Sequence, residues 1–445
     1  MRAAATSMRE GVLVMRIAHA AIAGLVLATT LSEGRAQERA PAVPMDSPVP
    51  APVVGQAPQA LTDLVERAWQ LSRQATAKGA RAVELSAREA ATRTFFAGAP
   101  AVSLDLRRDL PRDVGLPGTD ASPERGKNEW EPGFSAPIWL PGQRDAQRRV
   151  IAREREVLSA QAQLVRWQLA GEVRDIVWRL GAARVEVAAQ RARLDAARAL
   201  EADVARRQRM GDLARADFWM AQAETRAASA AVLEAGGRLA EAQASLAAIT
   251  GLEEIGDVQE RPATPAALDD GHPGLRAARE AAEAARSRLA YAQVTRRDNP
   301  TFNVVGRFDR DAYGGPYRNT VRFGFAVPLA TEARNAPRIT AAAAEATEQE
   351  IELERERRRI GAEQRRAAVS LEAARAALEE HIERARLARD TFEAIERAFR
   401  AGERGLPELL RVRAMTLDAE LARELARNQV GAAIARLNQA AGDTP

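Results

Sequence analysis

The chain has 445 residues, 46% hydrophobic but only 4% aromatic, with 28% charged and a formal net charge of +4. That profile excludes a wide aromatic core and fits long, thin helices packed through small aliphatic side chains. Arg and Glu alternate along the chain instead of forming one basic face, which argues against a nucleic-acid partner, and the absence of cysteine excludes disulfides, thiolate metal sites and a lipid-bearing Cys.

Residues 1–36 read as a secretory signal. Arg9 and Arg16 precede the apolar run Ile17 to Leu31, and Gly34-Arg35-Ala36 resembles a small-x-small cleavage site. Residues 37–58 contain Pro41, Pro44, Pro48, Pro50, Pro52 and Pro58, and are expected to form an extended lead-in. A first helix is expected from Leu61 to Phe96, with Thr62 as N-cap and Gly98 and Pro100 as the stop.

Ala101 to Leu110 alternates, with Val102, Leu104 and Leu106 on one face and Ser103, Asp105 and Arg107 on the other. A polar loop to about Asn128 leads to a return strand that places Trp130, Phe134, Ala136 and Ile138 together. Strands of this length with one apolar and one polar face suit a membrane barrel with a wet lumen, although a solvent-exposed hairpin lying on a helix would alternate in the same way. From Leu140-Pro141-Gly142 the chain enters some seventy residues without proline, about 100 Å as a helix, so other helices must run beside it.

The same design is then repeated. Gly133-Phe134-x-x-Pro137 recurs as Gly324-Phe325-x-x-Pro328, Arg144-Asp145-Ala146-x-Arg148 as Arg334-Asn335-Ala336-x-Arg338, Met210-Gly211-Asp212 as Ala401-Gly402-Glu403, and Gly251 as Gly442. The offset is 190 or 191 residues throughout, so one duplication explains all four anchors. Repeat one is assigned to residues 59–252, a connecting segment to 253–272, and repeat two to 273–442. In repeat two Phe302, Val304 and Phe308 oppose Asn303, Arg307 and Asp309, and Val321, Phe323, Phe325, Val327 and Leu329 oppose Arg322 and Gly324.

The helices carry a heptad. Ile339, Ala346, Leu353, Ile360, Ala367, Ala374, His381, Ala388 and Ile395 step by seven, as do Val150, Val157 and Leu164, then Val173, Leu180, Val187 and Leu194. Such a seam supercoils to the left, and its alanines allow close approach. Trp167 and Trp178 are read as packing residues. Each long helix ends at a Gly turn, and the returning helices, starting near Asp217 and Glu408, have about half its length. The first helix and the returning helix together match the long one, so two half-length helices are expected to stack end to end beside it.

Nothing in the pattern points to catalysis, a metal or a cofactor. His381 lies on the seam, and Asp269-Asp270-Gly271-His272 reads as a solvated turn. No Gly-rich phosphate loop or nucleophile motif stands out.

The doubled strand-pair and long-helix unit, the two Gly-Phe-x-x-Pro strands, and the turns Met210-Gly211-Asp212-x-x-x-Ala216-Asp217-Phe218 and Ala401-Gly402-Glu403-x-x-x-Pro407-Glu408-Leu409-Leu410 resemble the TolC-type outer-membrane efflux channel family, from about Leu61 to Gly442. Pro137-Ile138-Trp139-Leu140-Pro141-Gly142-Gln143-Arg144 also resembles its heavy-metal, CzcC-like branch. The resemblance implies a mainly α fold with a small β part, a homotrimer with an α-helical barrel and a shared twelve-stranded outer-membrane β-barrel. It implies a non-enzymatic exit duct for small molecules or metal ions, located in the outer membrane with a large periplasmic part. Its partners would be lipid, a periplasmic adaptor and an inner-membrane transporter. The duct of a type I protein-secretion system and a periplasmic coiled-coil adaptor or scaffold are the alternatives. Trp130, Phe134, Phe302, Val304, Phe323 and Phe325 would face lipid. Asp212, Asp217, Glu403 and Glu408 would lie at the periplasmic entrance, either as helix-start acids or as a cation-attracting ring, and the turns at Gly211 and Gly402 would dock the adaptor.

Overall fold

The computed structural model describes residues 61–108, 128–263, 271–310 and 315–445, all within the unit running from Pro52 to Pro445. The expected signal, the Pro-rich lead-in, the polar loop before Asn128, and Asp269 with Asp270 lie outside the described residues.

The expected single helix from Leu61 to Phe96 is instead two, α1 (Leu61–Leu71) and α2 (Gln74–Ala91). Arg73 is left-handed at φ 54°, and the Ser72 hydroxyl donates to the Trp69 carbonyl at 2.7 Å. Thr62 accordingly lies inside the first turn and is not its cap. The stop comes before Gly98 because the Thr92 and Thr94 hydroxyls donate to the Glu89 and Ala91 carbonyls, both at 2.7 Å, and such local bonds compete with helix continuation.

The strands are β1 (Ala101–Arg108), β2 (Asn128–Pro137), β3 (Thr301–Arg310) and β4 (Arg318–Ala326), paired antiparallel in the order β1-β2-β3-β4. The second hairpin therefore joins the first as one open sheet. Val327 and Leu329, expected in the last strand, lie just past its end.

The long helices are α3 (Gln143–Met210, 68 residues) and α6 (Glu332–Arg400, 69 residues), each about 100 Å long. Their returning partners are α4 (Arg215–Thr250) and α7 (Leu406–Ala440), and α5 (Pro273–Val294) precedes β3. All nine heptad positions of α6, from Ile339 to Ile395, are buried or half-buried, as are the seven of α3. The seam read from the sequence is thus the packed face.

The end-to-end stacking is seen midway along α3. Leu61, Leu64, Val65 and Ala68 of α1 share a core with Leu246 of α4 against Val173, Ile176 and Leu180, and Leu252 just past α4 and Ile255 of the connecting segment close it. On the second repeat Ala433 and Leu437 of α7 pack on Ala367 and Leu371 of α6, and the chain after α7 meets the start of α5 where a Cβ on Gly442 would lie 3.1 Å from Pro273 Cδ. Trp178 lies so close to α7 that a Cβ on Gly431 would come within 2.0 Å of its ring.

At the same level sits a buried polar hub. Arg174, 2% exposed, donates from Nε to Glu260 at 3.0 Å, from Nη1 to Gln439 Oε1 at 2.6 Å, and from Nη2 to Asp443 at 2.9 Å. Asn438 bonds Glu260 at 2.9 Å and accepts from the Ala263 N–H at 2.7 Å, while the Trp167 indole donates to the Gln439 carbonyl at 3.0 Å. The connecting segment is thereby tied to α3 and to the end of α7.

Candidate functional site

The register sorts the sheet into two faces. Across the pairs Val102↔Phe134, Phe134↔Val304 and Val304↔Phe323, and again across Ala136↔Phe302 and Phe302↔Phe325, apolar residues share one side. Leu106, Trp130 and Phe308 form a further row, with the Trp130 and Phe308 rings stacked at 4.3 Å. Leu104, Pro132, Gly306 and Val321 complete the face. The six lipid-facing candidates Trp130, Phe134, Phe302, Val304, Phe323 and Phe325 therefore stand on one surface. Four rows about 7 Å apart span about 20 Å along the strands, about 16 Å in height at a tilt of about 40°.

Among the described residues nothing covers this surface at its edges. Val102, Leu104, Leu106, Val321, Phe323 and Phe325 are between 59% and 75% exposed. A single copy also leaves β1 and β4 as unpaired edges.

The other face is charged. Asp105, Arg107, Glu129, Glu131, Arg307, Asp309 and Arg322 alternate with the apolar rows, and Arg307 reaches Glu129 at 2.5 Å and Glu131 at 3.5 Å across the β2–β3 pair. Arg318 joins Asp309 at 3.0 Å. Farther down, small residues line a trough, and a Cβ on Gly133 would meet Ser103 Oγ at 2.4 Å and displace that hydroxyl.

The segment Trp139 to Arg144 makes the corner between sheet and helix. Gln143 Oε1 accepts from the Leu140 N–H at 2.9 Å and from Asn299 Nδ2 at 2.8 Å, and Asn299 also holds the Ile138 carbonyl at 2.8 Å. Trp139 Nε1 donates to the Thr94 carbonyl at 3.2 Å and Arg144 Nε to that of Thr92 at 2.5 Å. The motif's side chains are thus occupied in joining α2, β2 and α3 to the entry of β3. Asn299, absent from the expected sites, is a central member of this joint.

At the opposite end the two turns are closed alike. Gly211 (φ 88°) and Gly402 (φ 77°) are left-handed, and the next N–H reaches five residues back, Asp212 to the Arg207 carbonyl and Glu403 to that of Ala398, both at 2.9 Å. A side chain at either glycine would meet open space. The four acids separate into two kinds. Asp217 accepts from the Ala214 N–H at 3.1 Å, and Glu408 pairs with Arg404 at 3.1 Å, so both serve the starts of α4 and α7. Asp212 and Glu403 are exposed and make no side-chain ion pair among the described residues. Behind the turns Val204, Phe399, Leu406 and Leu409 form one apolar cluster across both hairpins, and Arg207 lies over the Phe399 ring at 5.3 Å.

His272 departs from the expected solvated turn. It is buried and caps α5, its Nδ1 accepting from the Gly274 N–H at 3.1 Å, because the packing of Trp167 and Gly442 closes over it. His381 is half-buried on the seam. No group of three or more metal-capable side chains is present among the described residues, and no helix among them is long and apolar enough to cross a membrane.

No family model and no curated protein matches the chain. Solved structures do. The outer-membrane protein VceC of Vibrio cholerae is similar at a TM-score of 0.68 with 16% identity, over 86% of this chain and 96% of that one. The fold is that of the TolC-type outer-membrane channels. The Campylobacter jejuni CmeC outer-membrane channel (TM-score 0.68, 13% identity, 86% of each chain) and the Neisseria gonorrhoeae MtrE outer-membrane channel in its open state (0.66, 15%, 86% and 88%) are similar over the same extent. Within the TolC-type fold the open sheet and the Gly turns are the two ends of the long helices, and the polar hub lies midway.

Proposed function

We propose that this chain is the outer-membrane exit duct of an efflux pump, a passive conduit made of three copies. The observation that carries the reading is the sheet, apolar on one face and exposed there along its edge strands, charged on the other face, with β1 and β4 as its edges. In lipid an unpaired strand edge is costly, so four strands require others to close them, and three copies supply twelve. The apolar rows then meet lipid and the Arg307 network lines water. Exposed Leu233, Val369 and Leu387 on the helices would be covered by neighbouring copies in the helical barrel.

The cargo passes from an inner-membrane transporter through a periplasmic adaptor, and the turns at Gly211 and Gly402 are the docking points. Of the four acids, Asp212 and Glu403 are the pair left free to attract cations at the entrance. Small molecules or metal ions are the cargo, and the residues resembling the heavy-metal branch, Pro137 to Arg144, serve the corner joint. The test is membrane fractionation with mass measurement in detergent. An outer-membrane trimer whose deletion sensitises cells to small toxic compounds is expected. A soluble periplasmic monomer would overturn the proposal.

A further inference from the structure

The junction between the end of α7 and the start of α5 holds a titratable group that neither the sheet nor the turns use. His272 is 5% exposed, and its ring meets the Trp167 ring edge-on with centroids 5.0 Å apart. Because Nδ1 accepts from the Gly274 N–H, the neutral ring carries its proton on Nε2. The site is built closely. Gly442 is left-handed at φ 85°, a Cβ there would lie 2.8 Å from His272 Cδ2, and one on Gly274 would lie 2.9 Å from Glu356 Oε1. Among the described residues the charged groups facing the imidazole come from α6: Glu356, Arg359 and Glu363, with Arg359 bonded to Glu356 at 2.6 Å and to Glu363 at 3.0 Å. From α3 it meets Trp167, and beyond α7 it meets Gly442, whose neighbour Asp443 is held by Arg174.

We propose that His272 is an acid-sensitive latch on this junction: a proton taken up at Nδ1 removes the cap from α5 and releases the Gly442 end of α7 from it. A protonated Nδ1 cannot accept a hydrogen bond and turns an N–H toward the Gly274 N–H. It also puts a positive charge at the positive end of a 22-residue helix. Burial holds the imidazole below its ordinary range, Arg359 adds to this, and Glu356 and Glu363 oppose it. The sign follows from the neutral ring being favoured in the closed junction. The stability it contributes is complete above about pH 6.5 and is lost as pH falls toward the folded-state value. Release at Gly442 reaches farther, because Gln439 and Asp443 in the same stretch hold Arg174 and through it the connecting segment.

The test is hydrogen exchange on the full-length protein in detergent, following the amides of residues 272–278 and 436–443 after correction for chemical exchange, in wild type and in His272→Asn. Asn keeps an acceptor at the cap and does not titrate. Wild-type protection at Gly274 is expected to fall about tenfold per pH unit below about pH 6.5 until the folded value is reached, and the variant is expected to stay flat. A flat wild type, or the same slope in both proteins, overturns the latch. If His272→Asn does not fold, the wild-type imidazole titration followed by NMR decides. Its midpoint must coincide with the pH at which the fall in protection levels off, and a midpoint elsewhere overturns the proposal.

Discussion

Placing an arginine at Phe323 separates a membrane face from a merely exposed one. Phe323 lies opposite Val304 in the row that continues to Phe134 and Val102, an inner row of the four, and is 69% exposed in a single copy. Little of the chain's own fold packs on it, so Phe323→Arg should leave the helices intact. In lipid the same change costs about 2 to 4 kcal/mol near mid-depth, and the proposed trimer would place three such charges in one barrel, about 6 to 12 kcal/mol per assembly. That is comparable to the whole stability of an ordinary domain, about 5 to 15 kcal/mol. The matching control is Arg322→Ser, one residue away on the charged face. Arg307 is unsuitable as a control because it bridges Glu129 and Glu131. Trimer yield in the outer-membrane fraction, with helix content followed by circular dichroism, is the assay. Loss of trimer for Phe323→Arg alone is expected, and equal yields for both variants would refute a lipid-facing sheet.

Removing the guanidinium in Arg174→Ala strands the buried Glu260 carboxylate, and denaturant titration should record a loss of about 3 to 5 kcal/mol. Gly431→Ala should cost about 1 to 3 kcal/mol by driving a methyl into the Trp178 ring, and Trp178→Leu in the same chain should recover part of the loss in thermal melts. At the turns, Asp212→Asn with Glu403→Gln should lower cation selectivity in planar-bilayer recordings without changing stability, whereas unchanged selectivity would remove these acids from the entrance. Asp217→Ala should instead cost about 0.5 to 2 kcal/mol through loss of its bond to the Ala214 N–H, read as a lower melting temperature.

The sequence by itself determined the elements whose information is periodic and local. The seven-residue seam from Ile339 to Ile395, the duplication at 190 or 191 residues, the glycine turns that end the long helices and the alternation of Phe302, Val304 and Phe308 were all legible, because repeats, turn residues and helix and strand periods are local signals. The tertiary structure decided what depends on partners distant in the chain. At the early stop of α2 the Thr92 carbonyl is held by Arg144, 52 residues away, which no period announces. Arg174, Glu260, Asn438 and Asp443 form one hub only because end-to-end stacking brings the close of repeat two against the middle of α3. The same stacking buries His272, which a polar Asp-Asp-Gly-His stretch would otherwise leave in water. It is also the structure that separates four equivalent-looking acids, since Asp217 takes the Ala214 N–H and Glu408 pairs with Arg404 while Asp212 and Glu403 are exposed and without an ion pair among the described residues.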